Sequence, residues 1–208
     1  MIDKYRTPNS RCAVERLENR ELLTASATFA ETILPVRVSD VESYQFRDLD
    51  ADGSSELVVH SKDSIAIYGS KGAISPHFDL SQSIDSHADQ IDFADLDGDR
   101  RLDLLLADVA SGVRWHRNLG ASGFDDNARP LAEVSGVAEF SPFDMEHDGD
   151  VDVAVSFQDG VILTLENENH GTNFSLHQLL VSEMKSTNMR TASIASDVQQ
   201  DLLLTNAS

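Results

Sequence analysis

Asp95-Leu96-Asp97-Gly98-Asp99-Arg100-Arg101-Leu102-Asp103 runs straight into Leu104-Leu105-Leu106. Carboxylates stand at positions 1, 3, 5 and 9 of this stretch, and an apolar run follows at once. The pattern occurs twice more. Asp48, Asp50, Asp52 and Glu56 precede Leu57-Val58-Val59; Asp144, Glu146, Asp148 and Asp152 precede Val153-Ala154-Val155. The stretches start 47 and 49 residues apart. A fixed period of that size marks a repeat architecture.

Carboxylates are hard oxygen donors, and Ca²⁺ takes six to eight oxygens in a flexible shell. Alternate residues of a tight turn can aim side chains at one centre. Gly53 and Gly149 at position 6 permit the sharp bend. Four acidic groups this close repel one another, and a divalent cation removes that cost. Position 7 (Ser54, Arg101, Asp150) varies in type, as expected if it offers its backbone carbonyl. The EF-hand shares the acids at 1, 3 and 5 but needs a Glu at position 12 and flanking helices. Position 12 here is Val59, Leu106 or Val155, within short apolar, often β-branched runs that read as strands. Each loop therefore sits between two β-strands.

D-x-D-x-D-G-x-x-D leading into a strand resembles the calcium loop of FG-GAP/VCBS repeats, the blades of integrin-α-like β-propellers. The resemblance covers about residues 29–208. It implies an all-β chain of propeller blades of about 47–53 residues, with each loop in the hairpin between a blade's first two strands. It also implies Ca²⁺ as the ligand of twelve side chains: Asp48, Asp50, Asp52 and Glu56; Asp95, Asp97, Asp99 and Asp103; Asp144, Glu146, Asp148 and Asp152. The departures are Arg100 at position 6, where Gly98 at position 4 is expected to take over the turn, and the longer Glu56 and Glu146.

Net charge is −20, with 36 acidic against 16 basic residues, and twelve of the 36 acids occupy the twelve ligand positions. Such a charge argues against nucleic acid or an anionic membrane as partner. No apolar run approaches the roughly 20 residues of a spanning helix. The single cysteine, Cys12, allows no intramolecular disulfide.

Residues 1–28 form a separate N-terminal segment. Glu15-Arg16-Leu17-Glu18-Asn19-Arg20-Glu21-Leu22-Leu23-Thr24-Ala25 resembles the "ER-LE-x-R-x-LL-x-A" motif of exported planctomycete proteins, and Ala25-Ser26-Ala27 has the small-x-small form of a cleavage site. Charges interrupt what would be its apolar stretch, so an ordinary amphipathic helix is the alternative.

Residues 29–208 form the repeat region. Phe29, Phe78, Phe124 and Phe174 recur 17 to 23 residues before Asp48, Asp95, Asp144 and Asp197. They read as equivalent anchors on the last strand of successive blades, packing between blades. Trp115-His116-Arg117-Asn118-Leu119-Gly120 resembles the family's x-W-x-x-N-x-G third-strand turn, with Trp115 as packing; Asn167, Asn169 and Gly171 give the corresponding turn. A fourth unit begins at Met189, but its loop is shortened and keeps only Asp197 and Asp201, so no calcium is expected there. Three full blades, half a fourth and a lone strand at 29–38 predict an open or incomplete propeller, associating through exposed edges or joined by further blades. The half-blade pairing with the lone strand is the other possibility.

The function expected is a non-enzymatic, calcium-stabilised repeat module on the bacterial exterior, for adhesion or interaction with a protein or glycan. The alternative is an accessory propeller of a secreted enzyme whose catalytic part lies elsewhere. No G-x-S-x-G or H-E-x-x-H occurs, and the seven histidines are scattered with no i, i+4 pair.

Overall fold

Strand follows strand here because the apolar runs are short, often β-branched and bounded by acidic or glycine turns. The computed structural model describes residues 39–71, 77–181, 187–192 and 201–206. The first blade is β1 (Val41–Arg47), β2 (Glu56–Ser61), β3 (Ser64–Lys71) and β4 (His77–Asp85). The second is β5 (Gln90–Ala94), β6 (Asp103–Asp108), β7 (Gly112–His116) and β8 (Arg129–Ala132). The third is β9 (Val137–Phe143), β10 (Asp152–Phe157), β11 (Val161–Asn167) and β12 (Phe174–Val181). A two-stranded sheet follows, β13 (Thr187–Ala192) with β14 (Asp201–Asn206). Every pairing is antiparallel between sequence neighbours, so each sheet is a meander.

The described residues thus make three β-propeller blades and half of a fourth, below the usual four to eight of a closed ring. The expected lone strand at 29–38, the segment 1–28 and the shortened loop with Asp197 lie outside the described residues.

The run Leu104-Leu105-Leu106-Ala107 shows why the strands are apolar on both faces. Successive side chains on a strand point to opposite faces. Leu104 and Leu106 pack with Val58, Ile65 and Ile67 of the first blade. Leu105 and Ala107 pack with Val153, Val155 and Leu165 of the third. The central blade is therefore buried on both sides, each core layer being shared by two blades. Phe143, Ala154 and Ile162 close onto Met189 of the half-blade in the same way. Trp115 is 2% exposed in the layer between the second and third blades, so its role is packing.

The recurrent Phe residues occupy one register position: Ser70 pairs with Phe78, Asn118 with Phe124 and Asn167 with Phe174. Phe124 makes an isolated bridge ahead of β8 instead of lying in it, because the 3₁₀ turn at Gly120–Ser122 delays that strand. It still anchors the layer between the first and second blades, with its ring 6.3 Å from that of Phe93. Polar side chains also cross between blades. Gln82 clasps the backbone of Phe124, with Nε2 donating to its carbonyl at 2.9 Å and Oε1 accepting its N–H at 2.7 Å. Gln90 clasps Phe140 in the same two-sided manner.

Candidate metal centres

The three acidic loops join β1 to β2, β5 to β6 and β9 to β10, at corresponding ends of the three blades. Each is built on one hydrogen-bonded frame. The position-1 carboxylate accepts the position-6 N–H: Gly53 to Asp48 at 2.9 Å, Arg100 to Asp95 at 2.7 Å, Gly149 to Asp144 at 3.2 Å. The position-5 carboxylate accepts the position-7 N–H, from Ser54, Arg101 and Asp150. The position-9 carboxylate accepts the position-2 N–H: Leu49 to Glu56, Leu96 to Asp103, Met145 to Asp152. The acids thus shape the turn as well as charge it.

Positions 4 and 6 are left-handed in all three loops. Position 4 is Ala51, Gly98 and His147, with φ of 60°, 72° and 63°; position 6 is Gly53, Arg100 and Gly149, with φ of 87°, 70° and 97°. The expectation that Gly98 would substitute for the missing position-6 glycine is corrected here. Gly98 fills its own left-handed position, and Arg100 adopts the other itself, held by its N–H on Asp95.

The frame gathers oxygens. One carboxylate oxygen from each of Asp48, Asp50 and Glu56 lies within 4.8 Å of the others; so do those of Asp95, Asp97 and Asp99, and those of Asp144, Glu146 and Asp152. Nine of the twelve sequence-derived positions meet in this way. Asp52, Asp103 and Asp148 stand outside these sets. Asp52 and Asp148 are exposed at the loop rims. Asp103 is fully buried, with Oδ2 on Leu96 N–H and Oδ1 on Asn118 N–H at 2.7 Å.

Burial acts on the position-9 acids. It pushes Asp103 up to about 7, with Asp97 and Asp99 adding to the shift and the two backbone donors opposing it. Burial likewise raises Asp152 to about 6, with Glu146 adding to it. Glu56 is raised by burial, and by Asp50 and Asp52 beside it. Asp144 Oδ1 is buried without a hydrogen-bond partner. An acceptor-only, negatively charged cluster with a bare buried oxygen fits a hard divalent cation.

The second loop differs. Arg101 and Arg117 both contact Asp99, and Arg117 Nε also pairs with Asp97. Arg117 directly follows β7, and only the β6–β7 hairpin brings it to the loop. The first loop carries no such ion pair among the described residues; it borders a cleft of about 420 Å³ that reaches Gln82 and Phe124. In the third, His170 pairs with Asp150 at the rim. Sequence reasoning missed Arg101 and Arg117.

Meandering four-stranded sheets that share core layers and carry an acidic loop between their first two strands define a β-propeller repeat protein. The FG-GAP-like repeat family model matches residues 48–106 and again 95–155, together just over half of the chain, and the chain belongs to that family. No curated protein matches it in sequence. Among solved structures, a chain of the Tc holotoxin pore of Photorhabdus luminescens is similar over 77% of this chain, with a TM-score of 0.51 and 18% identity. The match spans 8% of that much larger chain and shows the shared fold.

Proposed function

We propose that this chain is a calcium-stabilised propeller module of the bacterial exterior, used for adhesion or interaction with a protein or glycan partner and not for catalysis. The observation that carries the reading is the thrice-repeated loop frame that gathers carboxylate oxygens to one point, leaving Asp144 Oδ1 bare. The residues that would hold Ca²⁺ are Asp48, Asp50, Asp52 and Glu56 in the first loop, Asp95, Asp97, Asp99 and Asp103 in the second, and Asp144, Glu146, Asp148 and Asp152 in the third. Bound Ca²⁺ supplies positive charge that offsets the repulsion of clustered carboxylates. The chain's own work is to hold those carboxylates in place through the backbone N–H groups of each loop.

The role of the metal is structural. Extracellular calcium modules bind at about 10⁻⁴–10⁻³ M, matching a calcium-rich exterior. At tenfold saturation one site adds about 1.4 kcal/mol, a sizeable share of a typical stability of about 5–15 kcal/mol. The fold supports an exterior interaction module, and no helix among the described residues is long and apolar enough to cross a membrane.

Limited proteolysis in EGTA and in calcium tests the reading. Cleavage at the acidic loops in EGTA, suppressed by calcium but not by an equal concentration of magnesium, is the expected result. Identical patterns in all three conditions would remove the calcium role.

A further inference from the structure

Asn118 and Asn167 stand at equivalent positions at the end of the third strand of their blades, two residues past β7 and at the last residue of β11, and are 2% and 1% exposed. Each reaches backwards to the preceding blade. Asn118 Nδ2 donates to the carbonyl of Leu49, position 2 of the first loop, at 2.7 Å. It also donates to Leu102, position 8 of the second loop, at 2.9 Å. Its backbone N–H donates to Asp103, position 9 of that loop, at 2.7 Å. Asn167 repeats the arrangement one blade on: to Leu96 of the second loop at 2.9 Å, to Val151 of the third at 3.2 Å, and to Asp152 at 2.8 Å. The amide oxygens accept Gly120 and Gly171 N–H, so the two carbonyls opposite Nδ2 fix which end of the amide is nitrogen.

These bonds join end to end. Glu56 accepts from Leu49 N–H; the Leu49 carbonyl accepts from Asn118; Asn118 N–H donates to Asp103; Asp103 accepts from Leu96 N–H; the Leu96 carbonyl accepts from Asn167; Asn167 N–H donates to Asp152. One line of hydrogen bonds, part-buried at Glu56 and buried from the Leu49 carbonyl onward, thus runs through the position-9 acid of all three loops. In the first blade the register partner of Phe78 is Ser70, not an asparagine.

We propose that Asn118 and Asn167 are positioning residues that couple the three loops, so that calcium held in one raises the affinity of the next. The physical reason is shared ordering. A cation that fixes the position-9 acid of one loop also fixes the position-2 residue, whose N–H that acid accepts. The asparagine bonded to that residue's carbonyl then holds the next loop's position-9 acid in place before its own cation arrives. A second ligand that meets an already ordered site loses less entropy on binding. Coupling of this kind is reciprocal, and about fivefold is the lower end of what such linkage gives. The proposal rests on the calcium reading above.

A double-mutant cycle by calcium titration calorimetry on the full chain tests it. The first loop is disabled with Asp48→Asn and Asp50→Asn, in the parent and in Asn118→Ser; serine is the residue that stands at this register in the first blade. The expected result is a loss of about fivefold in affinity at the second loop when the first is disabled in the parent, and less than twofold in Asn118→Ser. An equal loss in both backgrounds, or calcium binding with no loss in either, overturns the coupling and leaves the calcium reading standing. A parent chain that binds no calcium overturns both, and the parent titration alone separates that case. Asn167→Ser, read between the second and third loops, gives the same test if Asn118→Ser does not fold, and the fluorescence of Trp115, whose ring packs close to Gly171, the residue whose N–H bonds the Asn167 side chain, follows the second link independently.

Discussion

The first and second acidic loops share a backbone frame, the same left-handed positions and the same acids at 1, 3 and 5, yet their charge is balanced differently. The second is closed by guanidinium groups from Arg101 and Arg117. The first opens to a cleft with no ion pair on its acids among the described residues. One loop carries part of its counter-charge in the protein, and the other has no such counter-charge among the described residues. Loop geometry and loop charge are thus separate properties, and a repeat can keep the first while varying the second.

The largest expected effect lies in the shared frame. Asp103→Ala removes the acceptor of two buried N–H groups, on Leu96 and Asn118. Leaving them unpaired costs roughly 3 kcal/mol, read as a fall in urea midpoint in calcium and in EGTA alike. A midpoint within error of the parent would deny the frame its role.

Disabling the first loop with Asp48→Asn and Asp50→Asn sharpens the contrast in charge. In EGTA the midpoint should hold or rise, because repulsion is relieved. In calcium the chain should lose about 1.4 kcal/mol of stabilisation at tenfold saturation. The same changes at Asp97 and Asp99 should instead lower stability in EGTA, since they strand the two arginines.

Acidity separates the loops further. Asp103 and Asp152 are raised to about 7 and about 6 in the folded chain, against about 3.9 for an ordinary Asp. Between about pH 4 and 7 the folded chain therefore binds more protons than the unfolded one at these groups. Their contribution to stability without calcium falls as pH rises through that window. Calcium requires the ionised form, so the gain in melting temperature on adding calcium should be larger at pH 8 than at pH 5. A gain independent of pH would remove these two acids from the metal sites.

The smallest effect concerns the guanidinium that distinguishes the loops. Arg117 is 38% exposed, so solvent screens its pairs and Arg117→Gln should cost only about 0.5–1 kcal/mol in EGTA. Calcium affinity at the second loop should rise at the same time, because a competitor for Asp97 and Asp99 is gone. Unchanged affinity would show that the arginine and the cation do not compete.

The repeat, its strands and the register of the recurrent Phe were legible in the sequence because spacing encodes them locally: acids at 1, 3, 5 and 9, then a two-sided apolar run. The position-9 acid is where sequence logic was incomplete. Asp103 reads as a ligand by spacing, and the fold also uses both its oxygens to fasten Leu96 and Asn118, as it uses those of Asp152 to fasten Met145 and Asn167. Arg117 lies 18 residues from Asp99, and Asn118 lies 69 from Leu49. Neither partnership has a local signal, since one needs the β6–β7 hairpin and the other the stacking of two blades. Asn118 was visible only as a turn residue, which it also is.

The central claim is that three acidic loops take calcium and that the fold depends on it. A thermal melt in excess EGTA and again in 2 mM Ca²⁺ (on the order of the affinity of extracellular calcium modules), with bound ions counted by titration, tests it most directly. The account predicts a raised midpoint and close to three ions at saturation, with the arginine-closed second loop filling last. No shift and no binding would contradict it, leaving the loops as acidic turns held by their own backbone hydrogen bonds.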